Sequence, residues 1–87
     1  MLFRSVLCDF ARLGSAEAVY DHLQKELSFP AYFGRNLDAL HDCLTDIGSP
    51  TRLLLTGATA PCAQRFLPVI KDAARQNRYL SVEVHEE

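Results

Sequence analysis

Apolar positions along the chain fall into short runs and helical stripes, and their order predicts strands separated by helices. Leu2 to Phe10 is rich in apolar, β-favouring residues and is followed by the break at Gly14, which predicts a first strand. Ser15 suits an N-cap, and Glu17 falls in the first turn, where the helix dipole favours an acid. Beyond the cap, Ala16, Val19, Tyr20, Leu23 and Leu27 recur at helical spacing and form one buried stripe. Asp21 and Lys25 are spaced for an i,i+4 pair on the outer side. Pro30 and Gly34 then require a loop from Ser28 to Arg35. Asn36 caps a second helix, with Leu37, Leu40 and Leu44 inward and Cys43 beside them.

Gly48, Ser49 and Pro50 end that helix. Arg52-Leu-Leu-Leu-Thr56 follows without alternation, as expected of a strand covered on both sides or flanked by other strands. Thr59 and Pro61 suit the cap and first turn of a further helix, which Pro68 is expected to split in two. The second piece carries Val69, Ile70 and Ala73 inward, and Asn77 suits its stop. Tyr79 to Val84 alternates, with Leu80, Val82 and Val84 on one face and Ser81 and Glu83 on the other, as in an edge strand. Strands joined through helices imply parallel pairing and right-handed crossovers. The expectation is one α/β domain over residues 1–87, a three-stranded parallel sheet packed against helices.

Composition removes several function classes. The chain has 87 residues, 48% of them apolar and 23% charged, within the globular range. A net charge of −2 lacks the basic excess of a nucleic-acid binder. Cys8, Cys43 and Cys62 form no CxxC pair, so neither a zinc ribbon nor a redox motif is indicated, and reduced, buried thiols are expected. Arg4, Asp9 and Arg12 interrupt the N-terminal stretch, which does not read as a signal peptide. No run approaches a membrane span, so a cytoplasmic protein is expected, with no membrane partner.

Charge placement is the informative feature. Between Arg35 and Arg52 there is no Lys or Arg, while Asp38, Asp42 and Asp46 recur at i, i+4 and i+8. On a helix these line up roughly opposite Leu37, Leu40 and Leu44. Each like-charge i,i+4 pair costs about 0.2–0.5 kcal/mol, and Asp46 sits towards the helix end where the dipole opposes an anion. Folding gains little from these acids, whereas a cation from outside would gain much. Directly before them lies Phe29-Pro-Ala-Tyr32-Phe33-Gly34, whose two adjacent aromatics cannot both be buried easily. Exposed aromatics beside unpaired charges have the composition of a protein-binding hot spot.

The stretch Lys25-Glu-Leu-Ser-Phe-Pro-Ala-Tyr-Phe-Gly-Arg-Asn-Leu-Asp-Ala-Leu-His-Asp-Cys-Leu-Thr45 resembles the signature segment of the barstar family of intracellular ribonuclease inhibitors. The order of strands and helices around it is also similar. The resemblance implies a three-stranded parallel sheet, no catalysis, no cofactor, and a barnase-like ribonuclease as partner. It further implies that the loop and acidic helix plug the enzyme's active site, with carboxylates standing in for RNA phosphates. Asp42 would be the central mimic, Asp38 its neighbour, Tyr32 the stacking group, and Gly34 the point of close backbone approach. Phe33, Arg35, Asn36, His41, Asp46 and Asp72 complete the implied contact set. Arg35 stands where the family has an acid, His41 and Ile47 where it has large aromatics, and Asp72 where it has a glutamate. Arg75, at i+3, is placed to neutralise Asp72 within one helix.

Other chemistries find less support. Asp38, His41 and Asp42 could share a cation, but one helix supplies only part of a metal shell, and neither His22 nor His85 completes it. Thr56-Gly-Ala-Thr-Ala60 has neither GxGxxG nor GK[ST], so it reads as a strand-to-helix turn. No Ser or Cys occupies a nucleophile elbow. Arg65, Lys71, Arg75 and Arg78 read as a solvated helix face without the aromatics of an RNA-binding surface. A second reading is an interaction module with this fold that has lost ribonuclease binding, motivated by Arg35 and His41.

Overall fold

The computed structural model describes residues 4–85. Its elements run β1 (Arg4–Asp9), α1 (Phe10–Leu13), α2 (Ala16–Glu26), α3 (Leu37–Thr45), β2 (Thr51–Thr56), α4 (Ala63–Gln76) and β3 (Leu80–Val84). Leu2 and Phe3, expected in the first strand, lie outside the described residues. The sheet order is β1-β2-β3, and both pairings are parallel. This is the expected three-stranded parallel sheet with helices. With successive strands added in one direction, right-handed crossovers bring the helices to one face.

Register and burial agree with that one-sided cover. Val6, Leu53 and Val82 are neighbours across the sheet, as are Cys8, Leu55 and Val84. Val6, Cys8, Leu53 and Leu55 are buried, with Val82 and Val84 packed at the margin. The intervening row of Leu7, Leu54 and Glu83 is exposed or half-buried. The apolar run in β2 therefore has a structural alternation that its sequence hides. It is flanked by strands on both sides but covered on one face only. At the free edge of β1, His22 Nε2 lies 2.6 Å from the Leu7 carbonyl and satisfies an edge acceptor.

Local details depart from the sequence reading for identifiable reasons. The first strand stops at Asp9, whose carboxylate accepts from the Ala11 amide at 3.2 Å and turns the chain into α1. Phe10 becomes a fully buried helical residue, and Gly14, at φ 76°, closes the turn on the Phe10 carbonyl. Gly57, at φ 66°, brings β2's exit against α1; a Cβ there would meet the Ala11 amide nitrogen at 2.5 Å. Asp21 pairs with Arg35, not with Lys25. Cys8 is buried, and burial above all pushes its thiol up to about 12, with Cys62 and Asp9 adding to the effect. Cys43 and Cys62 are only half-buried, contrary to expectation, and all three cysteines are free.

Pro68 does not split α4, which is continuous over Ala63–Gln76 and begins after, not at, Pro61. The proline removes one amide donor, but Pro68 is exposed, so water can serve the released carbonyl. Burial of Ala63, Phe66, Ile70 and Ala73 along one side outweighs that loss.

Asn77 ends α4 as expected and does more than the sequence suggests. It is buried, at 6% exposure, and its amide donates to the carbonyls of Leu44 and Ile47, each at 2.9 Å. Its own carbonyl oxygen accepts from the Tyr79 amide at 3.0 Å. Asn77→Ala would strand the Ile47 carbonyl and the Tyr79 amide, each costing about 1–3 kcal/mol if left dry, and would leave the Leu44 carbonyl only a long bond from the Ile47 amide at 3.4 Å. Urea denaturation should show a loss of at least about 2 kcal/mol; a change below about 0.5 kcal/mol would refute the bridging role.

Candidate functional site

The loop before α3 is held by its own backbone and by the core. Non-glycine residues in the left-handed region bracket it, Ser28 at φ 57° and Arg35 at φ 52°. Such conformations cost of order 1 kcal/mol each and need outside support. The Phe29 amide donates to the Gln24 carbonyl at 3.0 Å, Gln24 Nε2 to the Pro30 carbonyl at 3.1 Å, and the Phe33 amide to the Pro30 carbonyl at 3.0 Å. Arg35 reaches back to α2 and pairs with Asp21. A Cβ on Gly34 would lie 3.1 Å from Asn36 Nδ2, so a larger residue there would crowd the cap.

Aromatic rings carry this anchoring into the core. Phe29 meets Phe33 at 5.2 Å between centroids, Phe33 meets Tyr20 at 5.9 Å, Tyr20 meets Phe66 at 5.0 Å, and Phe66 stacks on Phe10 at 5.9 Å. The two adjacent loop aromatics thus divide as their neighbourhood requires. Phe33 is 7% exposed and faces inward, whereas Tyr32 is 88% exposed. Phe33, expected among the contact residues, instead holds the loop from below. No local sequence signal announces this chain of rings, whose members come from α1, α2, the loop and α4.

Asn36 Oδ1 accepts from the Ala39 amide at 2.8 Å and starts α3. Leu40 and Leu44 are fully buried, and Leu37 and Cys43 pack at the edge of the core. Asp38, Asp42 and Asp46 are all exposed. Asp46 is the C-cap, and no basic residue occupies the last turn of α3. Among the described residues none of the three carboxylates forms an ion pair or side-chain hydrogen bond. Their field is felt locally: burial first, then Asp42 and Asp46, push the Cys43 thiol up.

Between Tyr32, Phe29 and Pro30 of the loop and Asp42, Cys43, Asp46 and Ile47 of the helix side lies an open groove of about 680 Å³. Arg4 also lines it, with its Nε buried and without a hydrogen-bond partner among the described residues. The remaining expected site residues lie on the other flank. His41 Nε2 is 2.8 Å from Asp72 Oδ2, and Gln76 Nε2 donates to the same oxygen at 2.8 Å. Arg75 lies 3.5 Å from Asp72 Oδ1, so the i+3 pair is formed. Among the described residues, no three His, Cys, Asp or Glu side chains converge as a metal cluster. No helix there is long and apolar enough to cross a membrane.

A sequence model of the family described as Barstar (barnase inhibitor) matches residues 3–84. The chain is also similar to a protein of Bacillus subtilis (strain 168) named "Putative ribonuclease inhibitor YrdF", 43% identical over 53 residues. That match covers 60% of this chain and 58% of the relative's length. The chain belongs to the barstar family.

The division of the loop aromatics predicts opposite stability effects. Phe33→Ala should destabilise by about 3 kcal/mol, as buried phenylalanine truncations do. Tyr32→Ala should change stability by no more than about 0.5 kcal/mol, as at other exposed sites. Thermal unfolding of the two variants tests this, and equal losses would contradict the assignment.

Proposed function

We propose that this member of the barstar family inhibits a barnase-like ribonuclease, secreted or used as a toxin, by occupying its active site. It acts as a binding protein in the cytoplasm and not as an enzyme. Tyr32 enters the mouth of the enzyme's cleft, and the α3 carboxylates replace RNA phosphates, with Asp42 central and Asp38 and Asp46 beside it. Asn36 and Gly34 shape the start of this surface. The observation carrying the proposal is that the three aspartates have no ion pair among the described residues and stand beside an 88%-exposed Tyr32.

The physical case is one of complementarity. A site that binds RNA phosphates must be cationic, so an acidic plug gains both rate of encounter and register. Burying Asp42 against a neutral surface would cost several kcal/mol in lost hydration. The same residues therefore reject uncharged partners. The loop also loses little further freedom on binding, because its hydrogen bonds and ring contacts already hold it. The Arg35 charge, which stands where an acid is expected, is directed to Asp21 and does not face the aspartates alone.

Titration into a small secreted bacterial ribonuclease of the barnase type tests the proposal, with RNA cleavage and calorimetry as readouts. The wild-type chain should inhibit, and Asp42→Ala should weaken inhibition at least about tenfold, the value of one hydrogen bond to a charged group. Affinity should fall steeply as salt is raised from low to physiological strength. A salt-insensitive complex would sink the phosphate-mimic mechanism. No binding across a panel of such enzymes would favour a module that keeps the fold without the inhibition.

A further inference from the structure

Asp72, on α4, is where the family resemblance implies an additional acid for the partner. Its hydrogen bonds point elsewhere. Oδ2 receives His41 Nε2 and Gln76 Nε2, both at 2.8 Å, while Arg75 lies 3.5 Å from Oδ1. His41 and Gln76 nitrogens approach each other to 3.5 Å because both converge on that one oxygen. Asp72 is thus the most heavily committed acid on this side of the molecule, in contrast to Asp38 and Asp42 on α3.

The geometry has a chemical consequence for His41. An ionised carboxylate can only accept hydrogen bonds, so the proton of the neutral imidazole lies on Nε2. Nδ1 is then the ring's acceptor. It has no partner among the described residues and is not buried. In sequence His41 stands between Asp38 and Asp42, three residues after one and directly before the other, and its side chain is 27% exposed. Asp72 and Gln76 of α4 reach its Nε2, Arg75 lies on the other oxygen of Asp72, and Asp38 and Asp42 share its helix.

We infer that Asp72 is a positioning residue that holds His41 in the Nε2–H form, so that Nδ1 joins the Asp38 and Asp42 carboxylates as a third acceptor for N–H donors of a cationic partner. The surface then offers acceptors alone, which suits arginine, lysine and backbone amides and opposes acidic surfaces, whose carboxylates are acceptors too. The partner's identity as a ribonuclease rests on the preceding proposal, whereas the Asp72–His41 relation belongs to the free chain.

Two measurements test the inference. In the free protein, nitrogen-15 spectra of the histidine rings, recorded where the imidazole carries a single proton, should show His41 protonated at Nε2 and unprotonated at Nδ1. Its ring proton should exchange slowly, and Asp72→Ala should abolish that slow signal. A His41 protonated at Nδ1, or a ring proton indifferent to Asp72→Ala, overturns the positioning role without reference to any enzyme. In the complex, His41→Ala should weaken inhibition of a barnase-type ribonuclease about tenfold, as loss of a bond to a charged donor does. Asp72→Ala should cost no more than that, and the double variant should match His41→Ala alone, because the two residues act through one contact. Additive losses, about a hundredfold in the double variant, would identify Asp72 as a direct contact and overturn the inference. If the wild-type chain inhibits no such enzyme, the functional proposal and the named partner fall, while the ring spectra still decide what Asp72 does.

Discussion

Asn77 joins three elements through three hydrogen bonds. From the end of α4 its amide donates to the Leu44 carbonyl in the last turn of α3 and to the Ile47 carbonyl just beyond it, while its side-chain oxygen receives the amide that leads into β3. The acidic helix depends on this tie more than its own sequence shows. A helix C-terminus carries partial negative charge, and α3 adds Asp46 to it without any basic residue in the last turn. Two donors from a neutral amide satisfy carbonyls at that end without neutralising Asp46. A lysine would have done the same local work while cancelling the charge of the face.

The same economy of charge governs the other end. Asn36 caps α3 with a neutral amide, and Arg35 is turned towards Asp21 on α2. Apolar contact supplies the remaining hold: Leu40 and Leu44 are fully buried, and the ring chain from Phe29 to Phe10 roots the loop. Stability and charge are thereby assigned to different atoms. Leucine, phenylalanine and amide groups hold α3 and its loop, leaving the aspartates outside every ion pair found among the described residues. Removing a carboxylate from that face should relieve like-charge repulsion, not break a structural bond.

Much of this was legible in the chain. The period of α2, its Ser15 cap, the Asn36 start of α3 and the alternation in β3 are local signals, and the structure places all of them close to where those signals fall. The misreadings share a cause. Continuity of α4 through Pro68, the partner of Asp21 and the inward turn of Phe33 are each settled by groups distant in sequence. Pro68 reads as a break until the burial of Phe66 and Ile70 on either side is known. Phe33 and Tyr32 are indistinguishable as adjacent aromatics until Tyr20 and Phe66 are placed beneath one of them. The Asn77 bridges to positions 44 and 47 span 33 and 30 residues and leave no local pattern.

Arg35 and His41 stand where the family resemblance implies an acid and a large aromatic. Arg35 and His41 each introduce a group able to carry positive charge, and each is matched to an acid outside α3: Asp21 in one case, Asp72 in the other. Pairing keeps these groups from turning on Asp38 and Asp42, so the negative strip survives both substitutions. It does not leave the surface unchanged. A flat aromatic offers ring area to a partner, whereas a histidine bonded through Nε2 offers a directed lone pair and less apolar surface. Under the inhibitor reading, binding therefore leans further on hydrogen bonds to cationic donors and less on ring stacking away from Tyr32. Such contacts tolerate a change of partner poorly, because a donor displaced by an ångström leaves both groups desolvated and unpaired. Under the proposed function, the residues at positions 35 and 41 would act as filters on which cationic cleft the surface accepts.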